Sequence, residues 1–183
     1  MLKYANNRKK FGKYQTNGDV NLMAVLIKRE ISEKFGDFCQ NGRVMFFSAP
    51  CGFGKTVVAG QLLSKKRVAE VCAEKDDFDK LGGKSWDFML ADELQNLSDS
   101  EKQQSLCALI RDNPDKRFVL LSRGNLQGFL MPFRLSGLLY TVDSQELMFD
   151  RDMTAQYFSQ NGLELSDTVV DDIQNITFGY PLA

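Results

Sequence analysis

The segment that most constrains this chain is Ser48-Ala49-Pro50-Cys51-Gly52-Phe53-Gly54-Lys55-Thr56, which follows the apolar run Val44-Met45-Phe46-Phe47. An unbroken apolar run closed by proline and glycine reads as a strand buried on both faces. The residues after the turn have helical composition, with Val58, Leu62 and Leu63 on one side. Strand, glycine-rich turn and helix in that order match the phosphate-binding pattern G-x-x-x-x-G-K-[ST], except that Ala49 stands at the first glycine. Gly52 and Gly54 let the backbone turn so that successive N–H groups face inward at the positive end of the helix, where a phosphate chain sits. Lys55 then reaches the β- and γ-phosphates, and the Thr56 hydroxyl ligates Mg²⁺.

A second apolar run, Phe88-Met89-Leu90-Ala91, ends in Asp92-Glu93. Beside a phosphate loop, this placement lets Asp92 hold the Mg²⁺ shell and Glu93 polarise an attacking water, so that Lys55 and Glu93 form the expected catalytic pair. A third run, 118–121, exits into Ser122-Arg123, where a basic side chain can sense a γ-phosphate. Further strands are expected at 68–73 and 139–142, with the second run extending back to Trp86. Helices are expected over 55–64, 100–111, 150–160 and 166–175, the last two opened by Asp and Ser caps. Another runs from an Asp19 cap to a stop at Phe35-Gly36. Residues 76–81 read as a short acidic turn of helix and 123–137 as loop. Buried strands alternating with helices argue for an α/β fold, a parallel sheet covered on both faces.

Composition removes several function classes. The 183 residues hold 23 Lys plus Arg against 24 Asp plus Glu, a net charge of −1 that leaves no excess for whole-surface nucleic-acid binding. There is no histidine, which excludes Ser-His and Cys-His dyads and His-ligated zinc. Cys39, Cys51, Cys72 and Cys107 are widely spaced, a pattern suited to reduced thiols rather than a disulfide framework or metal knuckle. With no long apolar run and a polar, basic start, the expected location is the cytoplasm. Residues 1–18 mix Lys3, Arg8, Lys9, Lys10 and Lys13 with Tyr4, Phe11 and Tyr14 and read as an arm. A nucleic-acid contact there is the lesser expectation beside a solvated tail.

The order of these motifs, followed by Phe133-Arg134-Leu135, Ser144-Gln145-Glu146-Leu147-Met148-Phe149 and Gly179-Tyr180-Pro181-Leu182-Ala183, resembles the ATPase domain of STAND signalling NTPases. Within that class it is most similar to the large ATP-dependent LuxR-type transcriptional regulators, the group of the maltose-regulon activator, over residues 43–183. The resemblance implies a P-loop NTPase sheet of order 5-1-4-3-2, with the Ser122-Arg123 strand between the loop strand and the Asp92 strand. It implies ATP or ADP with Mg²⁺, held by Ala49, Pro50, Cys51, Gly52, Phe53, Gly54, Lys55, Thr56 and Val57, with Arg123 at the γ-phosphate and Pro181 near the adenine or ribose. Thr56 and Asp92 are the implied metal ligands. It divides the chain into an arm (1–18), a P-loop core (19–143) and the start of a helical subdomain (144–183) that appears truncated inside the Gly-x-Pro motif. The 66–85 stretch is shorter than the family's second strand and helical insert. Sensor and DNA-binding regions would lie outside this chain, which is expected to make no direct nucleic-acid or membrane contact and to self-associate with nucleotide bound.

Cys51 is expected to be an inert small residue of the loop, Trp86 and Phe88 core residues, and Asp76, Asp77 and Asp79 a solvated acidic face lacking the spacing of a calcium loop. The functional expectation is a slowly hydrolysing ATP switch in a signalling or transcriptional regulator. Two alternatives stand beside it, a nucleotide-binding scaffold without turnover and a small-molecule phosphotransferase.

Overall fold

In a computed structural model, which describes residues 27–81 and 85–181, the apolar runs form five parallel strands. They are β1 (Val44–Ser48), β2 (Val68–Cys72), β3 (Phe88–Asp92), β4 (Arg117–Ser122) and β5 (Leu139–Asp143). Their spatial order is β2-β3-β4-β1-β5, the expected 5-1-4-3-2 read from the other edge. Each strand sends alternate side chains to opposite faces. Val44, Phe46, Met89, Ala91, Phe118 and Leu120 fall in one apolar layer, and Met45, Phe47, Phe88, Leu90, Val119 and Leu121 in the other. That is why these runs are continuously apolar rather than alternating.

The second layer is closed by α1 (Arg29–Asn41) and α2 (Lys55–Leu63). The expected stop of the first helix at Gly36 is wrong. Ile31, Phe35 and Phe38 are buried at helical spacing, and that apolar stripe carries the helix through Gly36 against a cost of about 1 kcal/mol for an interior glycine. The helix ends instead at Gly42, where a Cβ would stand 2.8 Å from both Phe38 and Tyr140. The proposed Asp19 start and the 1–18 arm lie outside the described residues.

The first layer is closed by α3 (Ser100–Asp112), whose Asp99 cap accepts from the amides of Glu101 and Lys102, and by a short helix where a loop was expected. Residues 123–137 contain a 3₁₀ turn (Gly128–Leu130) and α4 (Met131–Leu135). Pro132 fits the first turn of α4 because it needs no N–H there, and Leu130 and Phe133 are buried. Among the described residues, the β2–β3 connection carries the 3₁₀ turn Phe78–Leu81. Trp86 precedes β3 rather than opening it. Its indole N–H donates to the Leu81 carbonyl at 3.2 Å, and the side chain is buried as expected.

Beyond the sheet, Asp143 and Glu146 form a capping box around α5 (Ser144–Leu147), a helix that the sequence reading did not separate. The chain then forms α6 (Arg151–Gln160) and α7 (Asp167–Thr177). Asp150 caps α6 through the Met153 amide, whereas the Ser166 hydroxyl pairs with Thr168 and caps nothing. Arg151 ties the two helices by ion pairs to Asp167 and Asp171. No helix among the described residues is long and apolar enough to cross a membrane.

The turn after α7 is held tightly. Gly179 has φ +78°, and its carbonyl accepts from the Phe149 amide at 2.8 Å. A Cβ on Gly179 would meet the Phe149 carbonyl oxygen at 2.1 Å. Gly179→Ala is therefore expected to destabilise the α6–α7 region by about 1–3 kcal/mol, from the left-handed backbone alone before the clash is counted. Thermal unfolding reads this as a drop of about 2–4 °C per kcal/mol for a chain of this size. An unchanged midpoint would contradict the packing described.

Candidate functional site

Because the strands are parallel, their carboxyl ends lie at one edge of the sheet. The order β3-β4-β1 brings Asp92-Glu93, Ser122-Arg123 and the loop after Ser48 side by side. Ser48 registers with Ser122, and the Ala49 amide donates to the Ser122 carbonyl at 3.3 Å. Gly124 is gripped from both sides. Its carbonyl accepts from the Ser48 hydroxyl at 2.9 Å, and its amide donates to the Ser122 hydroxyl at 3.1 Å.

The loop turns as the glycines allow. Gly52 has φ +90°, and Gly54, at the N-cap of α2, has φ +76°. The amides of the first α2 turn have no intrahelical acceptor and sit at the positive end of the helix. Lys55 folds back over this loop, its ammonium donating to the Ala49 carbonyl at 2.5 Å and the Pro50 carbonyl at 2.8 Å. The side chain is only 8% exposed, and burial pushes its ammonium below the ordinary lysine range, partly opposed by the nearby Asp92 carboxylate. Ala49 is buried, Pro50, Cys51 and Val57 are exposed, and Phe53 packs against the second apolar layer.

Across from the loop, the Thr56 hydroxyl donates to Asp92 Oδ2 at 3.4 Å, and Asp92 Oδ1 accepts from the Glu93 amide at 2.7 Å. Glu93 has φ +59°, a left-handed conformation uncommon for a non-glycine residue. Both oxygens of its carboxylate are engaged. Oε1 accepts from the Arg123 guanidinium at 2.5 Å, and Oε2 accepts from the Gln95 side-chain amide. Gln95 also accepts from the Arg123 backbone amide at 2.9 Å, which closes a three-residue clamp. The bond to Glu93 holds the Arg123 guanidinium more firmly protonated.

This edge holds two positive-φ glycines, a buried lysine at the start of α2, and the Thr56 hydroxyl of that helix paired with the Asp92 carboxylate at the end of β3. No protein-family model matches the chain, and no curated protein matches its sequence. Solved structures do match. A DNA replication initiation factor is 18% identical with a TM-score of 0.54, covering 93% of this chain and 60% of that one. A Walker-type ATPase of Pyrococcus abyssi is 12% identical with a TM-score of 0.61, covering 86% and 65%. A Signal Transduction ATPase with Numerous Domains (STAND) protein with a tetratricopeptide repeat sensor, from Pyrococcus horikoshii, is 12% identical with a TM-score of 0.56, covering 86% of this chain and 28% of that one. The fold is that of the P-loop NTPases. The chain spans less than two thirds of each of these three neighbours.

On this P-loop NTPase fold, Lys55, Thr56, Asp92, Glu93 and Arg123 converge as the sequence reading grouped them. Pro181 stands in the turn after α7. It lines a small cavity of about 50 Å³ with Phe149, Tyr157 and Tyr180, and the neighbouring Tyr180 makes the loop contact, its hydroxyl donating to the Cys51 carbonyl at 3.0 Å. Gln95 and Tyr180 were missed, since a glutamine in a 3₁₀ turn and an aromatic residue near the chain's end carry no local pattern. A wider polar cavity of about 380 Å³ opens beside the end of β5, lined by Lys28, Glu30, Asp143, Gln145, Glu146 and Asp150.

Proposed function

We propose that this chain binds ATP with Mg²⁺ at the loop 49–56 and hydrolyses it slowly, as the nucleotide switch of a signalling or transcriptional regulator. The observation that carries the reading is the Thr56–Asp92 pair, 3.4 Å apart at the mouth of the phosphate loop. A hydroxyl and a carboxylate are hard oxygen donors, the set Mg²⁺ takes when it shares its shell with phosphates and water. No cluster of three or more His, Cys, Asp or Glu able to hold a metal occurs among the described residues, which suits a cation that arrives with the nucleotide. When bound, Mg²⁺ neutralises charge on the phosphate oxygens.

The chain's own residues do the rest. Lys55 exchanges the Ala49 and Pro50 carbonyls for phosphate oxygens, and the α2 amides hold the phosphate chain. Arg123 turns from Glu93 to the γ-phosphate, which frees a carboxylate oxygen to orient water. The cavity beside β5 is wide enough for a base and rich in acceptors for an exocyclic amine. In this reading residues 19–143 are the core and 144–183 begin a helical subdomain that closes over the site. Sensor and DNA-binding regions act from elsewhere in the polypeptide, the chain self-associates with nucleotide bound, and the setting is the cytoplasm. The likeness to a STAND fold supports the signalling role by analogy of fold.

One observation favours a second reading, a nucleotide-binding scaffold without turnover. Both oxygens of Glu93 already accept from side-chain donors, Arg123 and Gln95, so in this conformation the carboxylate is committed to two neighbours and its basicity is spent on them.

Alkylation of the cysteines tests nucleotide binding at this loop. Cys51 is exposed, Cys39 and Cys72 are half-buried, and Cys107 is buried. Burial also raises the thiol pKa of Cys39 and of Cys107. Cys51 is expected to react fastest in the empty protein and to slow severalfold with ATP or ADP and Mg²⁺, while the other three change little. Mass-spectrometric labelling reads all four rates. An unchanged Cys51 rate under saturating nucleotide would mean that the loop does not enclose phosphate.

A further inference from the structure

Tyr180 belongs in sequence to the turn after α7, yet it touches the phosphate loop in two ways. Its hydroxyl donates to the Cys51 carbonyl at 3.0 Å, and its ring centroid lies 4.9 Å from that of Phe53. A trans peptide is planar, with its C=O and N–H pointing in opposite directions. With the Cys51 carbonyl directed at Tyr180, the Gly52 N–H of the same peptide points away from Tyr180.

Tyr180 can hold that peptide because its own backbone is fixed. The Tyr180 amide donates to the Thr177 carbonyl at 3.0 Å, and the adjoining Gly179 carbonyl accepts from Phe149 at 2.8 Å. The Phe149 carbonyl in turn accepts from the Gln174 side chain at 3.0 Å, whose oxygen accepts from the buried Thr154 hydroxyl at 2.9 Å. A continuous set of hydrogen bonds therefore runs from the α6–α7 pair through Tyr180 to the loop.

We infer that Tyr180 is a positioning residue for phosphate: by anchoring the Cys51 carbonyl it aims the Gly52 amide at the phosphate chain, so that phosphate affinity depends on α6 and α7 being docked on the loop. This rests on the nucleotide-binding reading above. It concerns the loop backbone and not the base, which makes it separable from a role for Tyr180 in an adenine pocket.

The test is calorimetric titration of the full chain with two Mg²⁺-loaded probes, ATP and inorganic tripolyphosphate, the latter having no base or sugar. Tyr180→Phe keeps the ring beside Phe53 and removes only the hydroxyl. It is expected to weaken both probes by the same factor, about two- to tenfold for one hydrogen bond, with the unfolding midpoint held. Gly179→Ala, which shifts Tyr180 without touching the hydroxyl or the loop, is expected to weaken both in parallel, measured well below its unfolding transition. Tripolyphosphate binding equal to the parent's in Tyr180→Phe would overturn the inference, whether or not ATP binding fell. The Lys55→Ala control separates the two levels. If the parent binds neither probe, or binds both without needing Lys55, the phosphate-loop reading fails and the inference with it. If binding needs Lys55 but not the Tyr180 hydroxyl, only the inference fails.

Discussion

Lys55→Ala is expected to weaken ATP binding about ten- to a hundredfold, the worth of one charge-assisted hydrogen-bonded contact, and to leave the fold in place. The ammonium's partners in the empty loop are two carbonyls of the loop itself, so the variant loses its hold on phosphate while both apolar layers keep their contacts. The same residue predicts a pH dependence. Burial lowers the Lys55 pKa from the ordinary 10.5, and phosphates bind the charged form. Parent affinity should therefore fall as pH rises through the lowered value, and this component should vanish in Lys55→Ala. Folding runs the other way. Burial penalises the charged form, so that penalty is full at neutral pH and lifts between the lowered pKa and the ordinary one. Calorimetry giving equal affinities for parent and variant would remove the basis of the phosphate-loop reading.

Glu93→Gln is expected to slow ATP turnover by about a hundred- to ten-thousandfold, the usual worth of a positioned general base, while ATP affinity stays within about twofold. The amide keeps the shape of the side chain and its contact with Arg123, but polarises water poorly. The clamp on Glu93 is weak enough to open. Arg123 is 53% and Glu93 31% exposed, so solvent screens their ion pair, and a γ-phosphate offers the guanidinium more negative charge and more acceptor oxygens than one carboxylate. A γ-phosphate within reach of Arg123 therefore wins. Single-turnover hydrolysis with parent and variant decides. Equal rates would remove Glu93 from the chemistry, and a parent with no turnover would support the scaffold reading.

What could be read from the sequence followed how local each signal is. β1, β3 and β4 are buried on both faces, so 44–47, 88–91 and 118–121 appear as unbroken apolar runs with little room for error. The convergence of Lys55, Thr56, Asp92 and Arg123 then follows from strand order, which came from the family resemblance rather than from any single motif. Gly36 misled because its local signal to stop competes with a buried stripe visible only when α1 meets the sheet. The helix at Met131–Leu135 was hidden by Pro132, which looks like a breaker until its place in the first turn is known. Gln95 meets Arg123, and Tyr180 meets Cys51 and Phe53, only across long stretches of chain, and one sequence holds no record of such pairs.

The position of β1 between β4 and β5 also sets an order of assembly. Val44 pairs with Phe118 on one side and Leu139 on the other, so the strand that carries the loop has no sheet neighbour near it in sequence. β2 and β3 are joined through residues 73–87, and β4 follows β3 after one helix, so those three close at lower entropic cost. During synthesis, Val44-Met45-Phe46-Phe47 leaves the ribosome well before either partner exists. Its first edge is covered once Arg117–Ser122 is made, and its second only when Leu139–Asp143 follows. A translational pause or truncation before residue 117 would leave this apolar segment without either sheet neighbour, and one before residue 139 would leave the loop-bearing strand open along its β5 edge.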